Sequence, residues 1–174
     1  ASNSGVSSIS VFRNLSVSGT VAFALKQDLA VGLNPSSVNI GDLDKDGKPD
    51  IVVSNAGSAN VSILRNTSTL GTISAVLAQT LSGLISSRGI AIGDFDGDNS
   101  PDIVVANDDN NGYVLFFRNL NGSLGTLSFT TTAVTVATGI VPYLGVGIGD
   151  FDGDGKVDLA VGNANGNDLS ILKN

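Results

Sequence analysis

Short β-branched runs with alternating apolar and polar positions recur along the chain, and none keeps the three-to-four spacing of an amphipathic helix. One kind of run is Gly-rich and reads Val38-Asn-Ile-Gly41, Ile90-Ala-Ile-Gly93 and Val146-Gly-Ile-Gly149. A second reads Ile51-Val-Val53, Ile103-Val-Val105 and Leu159-Ala-Val161, each ending in Asn55, Asn107 or Asn163. A third ends in a base and an asparagine: Ile9-Ser-Val-Phe-Arg13-Asn14, Val61-Ser-Ile-Leu-Arg65-Asn66, Val114-Leu-Phe-Phe-Arg118-Asn119 and Leu169-Ser-Ile-Leu-Lys173-Asn174. A fourth, weaker run lies around Ser74 to Leu81 and Ser128 to Thr138. These are strands A, B, C and D of a repeating unit, with strand propensity supplied by Val, Ile and Phe.

Between strands A and B the same acidic nonapeptide appears three times, its first Asp at positions 42, 94 and 150, so the unit repeats every 52 to 56 residues. Four-stranded units of that length, with the Gly-rich strand where units converge, predict an all-β chain of β-propeller blades. The predicted organisation is one propeller segment over 1–174. It comprises a partial blade at 1–36 (strands C and D), blades at 37–88 and 89–143, and a partial blade at 144–174 (strands A to C). Thirteen strands result, which is an incomplete ring, since propellers close with about 4 to 8 blades. Open strand edges invite pairing, so the expected partners are remaining propeller blades or further copies of the chain, as a closed oligomer or a filament.

The nonapeptides carry the chemistry. They place Asp at loop positions 1, 3, 5 and 9: Asp42, Asp44, Asp46 and Asp50; Asp94, Asp96, Asp98 and Asp102; Asp150, Asp152, Asp154 and Asp158. Four carboxylates within nine residues repel one another unless a cation neutralises them. Calcium fits, because it takes six to eight oxygens in flexible geometry, and by analogy with other calcium loops position 7 offers a backbone carbonyl, here from Lys48, Ser100 or Lys156. Gly47, Asn99 and Gly155 at position 6 suit a turn with positive φ. Magnesium prefers a rigid octahedron, and zinc or copper would draw on His and Cys, which the chain lacks. An EF-hand needs Glu at position 12, where Val53, Val105 and Val161 stand. The plain alternative is a solvated acidic turn.

The loops hold twelve of the sixteen acidic residues, there is no Glu, and the formal charge is -7, so three calcium ions would bring the chain to about -1. Nine scattered basic residues form no patch for nucleic acid. No apolar run approaches the ~20 residues of a membrane-spanning helix. Weak calcium sites fill at the roughly millimolar free calcium outside cells, which predicts an extracellular or cell-surface setting. His, Cys and Glu are absent, and only Asp28, Asp108, Asp109 and Asp168 lie outside the loops, so the reading is non-catalytic.

The Gly-Asp-Phe-Asp-Gly-Asp pattern at 93–98 and 149–154, followed by Asp-Ile-Val-Val-Ala-Asn or similar, resembles FG-GAP/VCBS repeats, the blades of integrin-α-like propellers. That resemblance spans essentially the whole chain and implies calcium in the loop between the first two strands of a blade. In an antiparallel meander the A-to-B and C-to-D loops share one face, which places Arg13, Arg65, Arg118 and Lys173 on the side of the metal loops, either as partners that hold loop carboxylates in position or as exposed strand-end bases kept for solubility. The other face carries Asn107 to Asn111, Asn163 to Asp168, Arg88 and Tyr143. These are ordinary turn formers or contacts for a protein or glycan ligand. Three function classes follow: a calcium-stabilised adhesion or protein-interaction module, a self-assembling structural subunit, and a lectin. Four Asn-x-Ser/Thr sequons, at Asn14, Asn60, Asn66 and Asn121, are too short to carry weight.

Overall fold

The computed structural model describes residues 1–3, 5–108, 112–121, 123–138, 142–163 and 168–174. Among them there is no helix. Fourteen strands form four antiparallel sheets: β1 (Ser2–Asn3), β2 (Ser8–Val11) and β3 (Gln27–Ala30); β4 (Pro35–Gly41), β5 (Asp50–Asn55), β6 (Asn60–Asn66) and β7 (Ala75–Leu81); β8 (Ser87–Gly93), β9 (Asp102–Asn107), β10 (Tyr113–Phe117) and β11 (Val134–Ala137); β12 (Pro142–Gly149), β13 (Asp158–Asn163) and β14 (Asp168–Leu172). Each sheet is a meander in sequence order, and the two complete ones follow the A-B-C-D reading. The first sheet has one strand more than the thirteen-strand reading. β1 is two polar residues long, pairing Ser2 with Ile9 and Asn3 with Ser8, so it leaves no apolar alternation to read.

The sheets stack side by side through their inner strands, β4 against β8 and β8 against β12. Alternation of side chains across each strand gives each of the two middle sheets two apolar faces, one for each neighbour. Val52 and Ile63 are paired across β5 and β6 and meet Ile103 and Phe117 of the next sheet. The neighbouring positions Ile51, Val53 and Leu64 turn the other way, onto Ile9 and Val11 of the first sheet. Val104, Val114 and Phe116 likewise face Leu159, Val161 and Leu172 of the last sheet. The core is thus three inter-sheet layers, the packing expected of propeller blades.

The Gly-rich ends of the inner strands allow this approach. A Cβ at Gly41 would lie 3.2 Å from Ile92 Cγ2, and one at Gly93 would lie 3.0 Å from Ile148 Cδ1. Inner strands therefore draw together just before each acidic loop, which fixes where the loops emerge.

Phe117 and Phe12 occupy the same place in the repeat, but Phe117 is fully buried and Phe12 is 47% exposed. Phe117→Ala is expected to destabilise the protein by about 3 to 5 kcal/mol. Phe12→Ala is expected to cost less than about 1 kcal/mol. Urea unfolding of the two variants measures the contrast, and equal losses would contradict the layered core.

Candidate metal centres

Each acidic loop starts at the end of an inner strand and finishes on the first residue of the next, so Asp50, Asp102 and Asp158 open β5, β9 and β13. The loop turns as its sequence requires. Position 6 has positive φ in all three, 85° at Gly47, 62° at Asn99 and 86° at Gly155, and position 4 does so too, at Lys45, Gly97 and Gly153.

Within each loop the carboxylates of positions 1, 3 and 9 converge. Asp42, Asp44 and Asp50 each offer an oxygen, all within 4.8 Å of one another, as do Asp94, Asp96 and Asp102, and Asp150, Asp152 and Asp158. Oxygen-only triads of hard carboxylates suit a hard cation such as calcium. Asp46, Asp98 and Asp154 at position 5 stay outside the triads. One oxygen of each accepts the backbone N–H of position 7, from Lys48 (2.9 Å), Ser100 (2.7 Å) or Lys156 (3.0 Å).

The position-1 carboxylate wraps the turn. Asp94 accepts N–H donors of Gly97 (2.8 Å), Asp98 (3.1 Å) and Asn99 (2.8 Å), and Asp150 accepts the equivalent three from Gly153, Asp154 and Gly155. In the first loop Lys45 replaces Gly at position 4, and Asp42 accepts one, from Gly47 at 3.0 Å through Oδ2. Its Oδ1 is buried and has no hydrogen-bond partner. A buried carboxylate oxygen left without a donor costs at least about 1 to 3 kcal/mol, and a cation at the triad removes that cost.

Position 9 ties three strands together. Oδ2 of Asp50, Asp102 and Asp158 accepts the N–H of Leu43 (3.1 Å), Phe95 (3.1 Å) or Phe151 (2.9 Å) at position 2 of the same loop. Oδ1 accepts the N–H of Asn66 (2.8 Å), Asn119 (2.8 Å) or Asn174 (2.9 Å) at the end of the strand-C run. Burial pushes the Asp50 and Asp102 carboxyls above their usual range, against the pull of those N–H groups.

The strand-C bases sit where the shared-face argument puts them. Arg65 bridges Asp44 (Nε to Oδ2, 2.8 Å) and Asp46 (Nη2 to Oδ2, 3.7 Å), Arg118 bridges Asp96 and Asp98, and Lys173 bridges Asp152 and Asp154. The Asp98 carboxyl is held below its usual range, first by the Ser100 N–H and then by Arg118, and the Asp152 carboxyl by Lys173. Arg13 departs from the pattern: its Nη1 donates to the Gly71 carbonyl of the next sheet at 2.5 Å.

On the opposite face the asparagines serve the fold. Asn107 Oδ1 accepts Ile85 N–H at 2.8 Å and Ser86 N–H at 3.3 Å, and Asn163 Nδ2 donates to Asp168 (2.9 Å) and Ser170 (2.8 Å). Arg88 pairs with Asp108 at 3.3 Å. Residues 109–111 and 164–167 and the Tyr143 side chain lie outside the described residues. Sequence reasoning missed the roles of Asn66, Asn119 and Asn174, although the base-Asn ending of strand C marked each of them.

A family model described as FG-GAP-like repeat matches residues 1–53, 43–105 and 94–161; the first match runs through one acidic loop, the other two run from one acidic loop through the next, and each ends in the strand after a loop. No curated protein matches the chain.

Asp44 is fully buried beside Arg65, whereas the Asp96 side chain is 33% exposed beside Arg118. Removing a partner from a buried charge is the more damaging change. In chelator, Arg65→Ala is expected to lower the melting temperature more than Arg118→Ala, and calcium should narrow the gap by replacing the lost positive charge. Thermal melts with and without calcium check the order; equal losses, or a gap that calcium widens, would contradict it.

Proposed function

The chain belongs to the FG-GAP-like repeat family, and from that premise we propose that it is a non-catalytic β-propeller module whose three acidic loops bind structural calcium. The observation that carries the reading is the buried Oδ1 of Asp42, which has no donor and belongs to a carboxylate of the first converging triad. The Asp residues at positions 1, 3 and 9 hold the ion, with the carbonyls of Lys48, Ser100 and Lys156 and the position-5 carboxylates nearby to complete an oxygen shell. Calcium supplies charge neutralisation, so each A-to-B turn stays closed and each pair of inner strands keeps its approach. Its setting is extracellular, where free calcium of roughly millimolar concentration fills weak sites. The module's work is adhesion or protein interaction, done by loops and faces that the metal centres hold in place.

An ion bound only to the folded state at a thousand times its dissociation constant adds ~4 kcal/mol. Chelator is therefore expected to lower the melting temperature substantially, and excess calcium to restore it, with calorimetry counting three ions per chain. A melting curve indifferent to both would overturn the reading.

The outer faces of the array support pairing with further blades or further copies of the chain. Phe12 (47% exposed), Phe23 (58%) and Leu25 (97%) crowd the outward side of the first sheet, and Leu169 and Ile171 (59% each) that of the last. Their counterparts inside the array, Phe117, Phe129, Val61 and Ile63, are buried at 2% or less. Exposed apolar faces of this kind mark interaction sites. Light scattering on the chain alone is expected to give a multiple of 17.5 kDa, and a monomer mass at all concentrations would rule out copies as the cover.

A further inference from the structure

One line of hydrogen bonds runs through all three acidic loops. It starts at Asp158, whose Oδ1 accepts the N–H of Asn174 (2.9 Å), and the Asn174 Nδ2 donates to the Phe95 carbonyl of the preceding sheet (2.8 Å). The Phe95 N–H donates to Asp102 Oδ2 (3.1 Å), and Asp102 Oδ1 accepts the N–H of Asn119 (2.8 Å). The Asn119 Nδ2 donates to the Leu43 carbonyl (2.9 Å), and the Leu43 N–H donates to Asp50 Oδ2 (3.1 Å). Leu43 stands between Asp42 and Asp44, and Phe95 between Asp94 and Asp96, so each link lands inside a triad.

We propose that the three centres bind calcium cooperatively, with Asn119 coupling the first to the second and Asn174 the second to the third. The inference rests on the calcium reading above. Binding at one centre orders its nonapeptide, including the position-9 carboxylate and the asparagine N–H docked on it. The asparagine side chain then holds position 2 of the neighbouring loop, so the next ion meets a loop that is already ordered and binds with less entropic loss. Three further contacts reinforce the first junction. Asn121 Nδ2 donates to the Leu43 carbonyl (2.7 Å), Gly125 N–H to the Asp44 carbonyl (2.9 Å), and Lys45 Nζ to Ser100 Oγ (2.9 Å). Coupling is accordingly stronger between the first and second centres than between the second and third.

Calcium calorimetry on the full chain tests this. With the third centre disabled by Asp152→Asn, adding Asp96→Asn to disable the second is expected to weaken the first by at least about fivefold. In an Asn119→Ala background the same step should change the first centre by a smaller factor, the Asn121, Gly125 and Lys45 contacts keeping part of the coupling. A purely structural Asn119 would weaken that centre equally in both backgrounds and leave the fivefold ratio intact, which would overturn its role. Asn174 is exposed. Asn174→Ala therefore gives a second readout independent of core packing: with the first centre disabled by Asp44→Asn, it should abolish the dependence of the second centre on the third. Three independent ions would overturn the coupling and leave the calcium reading standing, whereas absence of any calcium binding would overturn both.

Discussion

Four carboxylates held within nine residues repel each other, and the rest of this structure is organised around that repulsion. Each Asp in the loop meets it differently. The first turns its oxygens to backbone N–H groups of the turn, the fifth pins position 7 and takes part of a basic side chain, and the ninth is buried between strands. The bases offset part of the charge but lie on the solvent side, with Arg118 and Lys173 more than half exposed. What remains is a set of oxygens at positions 1, 3 and 9 that lie within 4.8 Å of one another, an arrangement compatible with a cation.

This arrangement depends on strand packing as much as strand packing depends on it. Gly41 and Gly93 let the inner strands of neighbouring sheets approach, and the loops begin at the very next residue. Asp50, Asp102 and Asp158 then knit the loop to strand B and to the end of strand C, so closing a loop also fixes the blade's middle strands. A close approach on the metal side completes the junction: a Cβ at Gly125, where φ is +75°, would lie 3.1 Å from Arg65 Nη2 of the preceding sheet. Loop, base and neighbouring hairpin are one packed unit.

Much of this was legible in the chain itself. β-branched runs such as Ile51-Val-Val53 located the buried strands because burial on both faces demands continuous apolar residues, and the A-to-B position of the acidic loops followed from the order of runs. The placement of Arg65, Arg118 and Lys173 on the face of the acidic loops followed from meander geometry, whereas their contacts with the carboxylates came from the structure. Where side chains give no periodic signal the reading failed, as at β1, whose two polar residues carry no apolar alternation, and at the irregular starts of β4, β8 and β12, where register shifts break the alternation. The links made by Asn119 and Asn174 were invisible for another reason. A side chain that reaches across sheets to a carbonyl 76 or 79 residues away leaves no local pattern.

The central claim is that a cation completes the three carboxylate triads. A crystal structure grown in calcium, with anomalous differences collected at a long wavelength, tests it most directly. The account predicts one anomalous peak in each loop, with carboxylate oxygens of positions 1, 3 and 9 at about 2.3 to 2.6 Å and Oδ1 of Asp42 among them. Peaks absent from all three loops, with Asp42 Oδ1 satisfied by water instead, would contradict it.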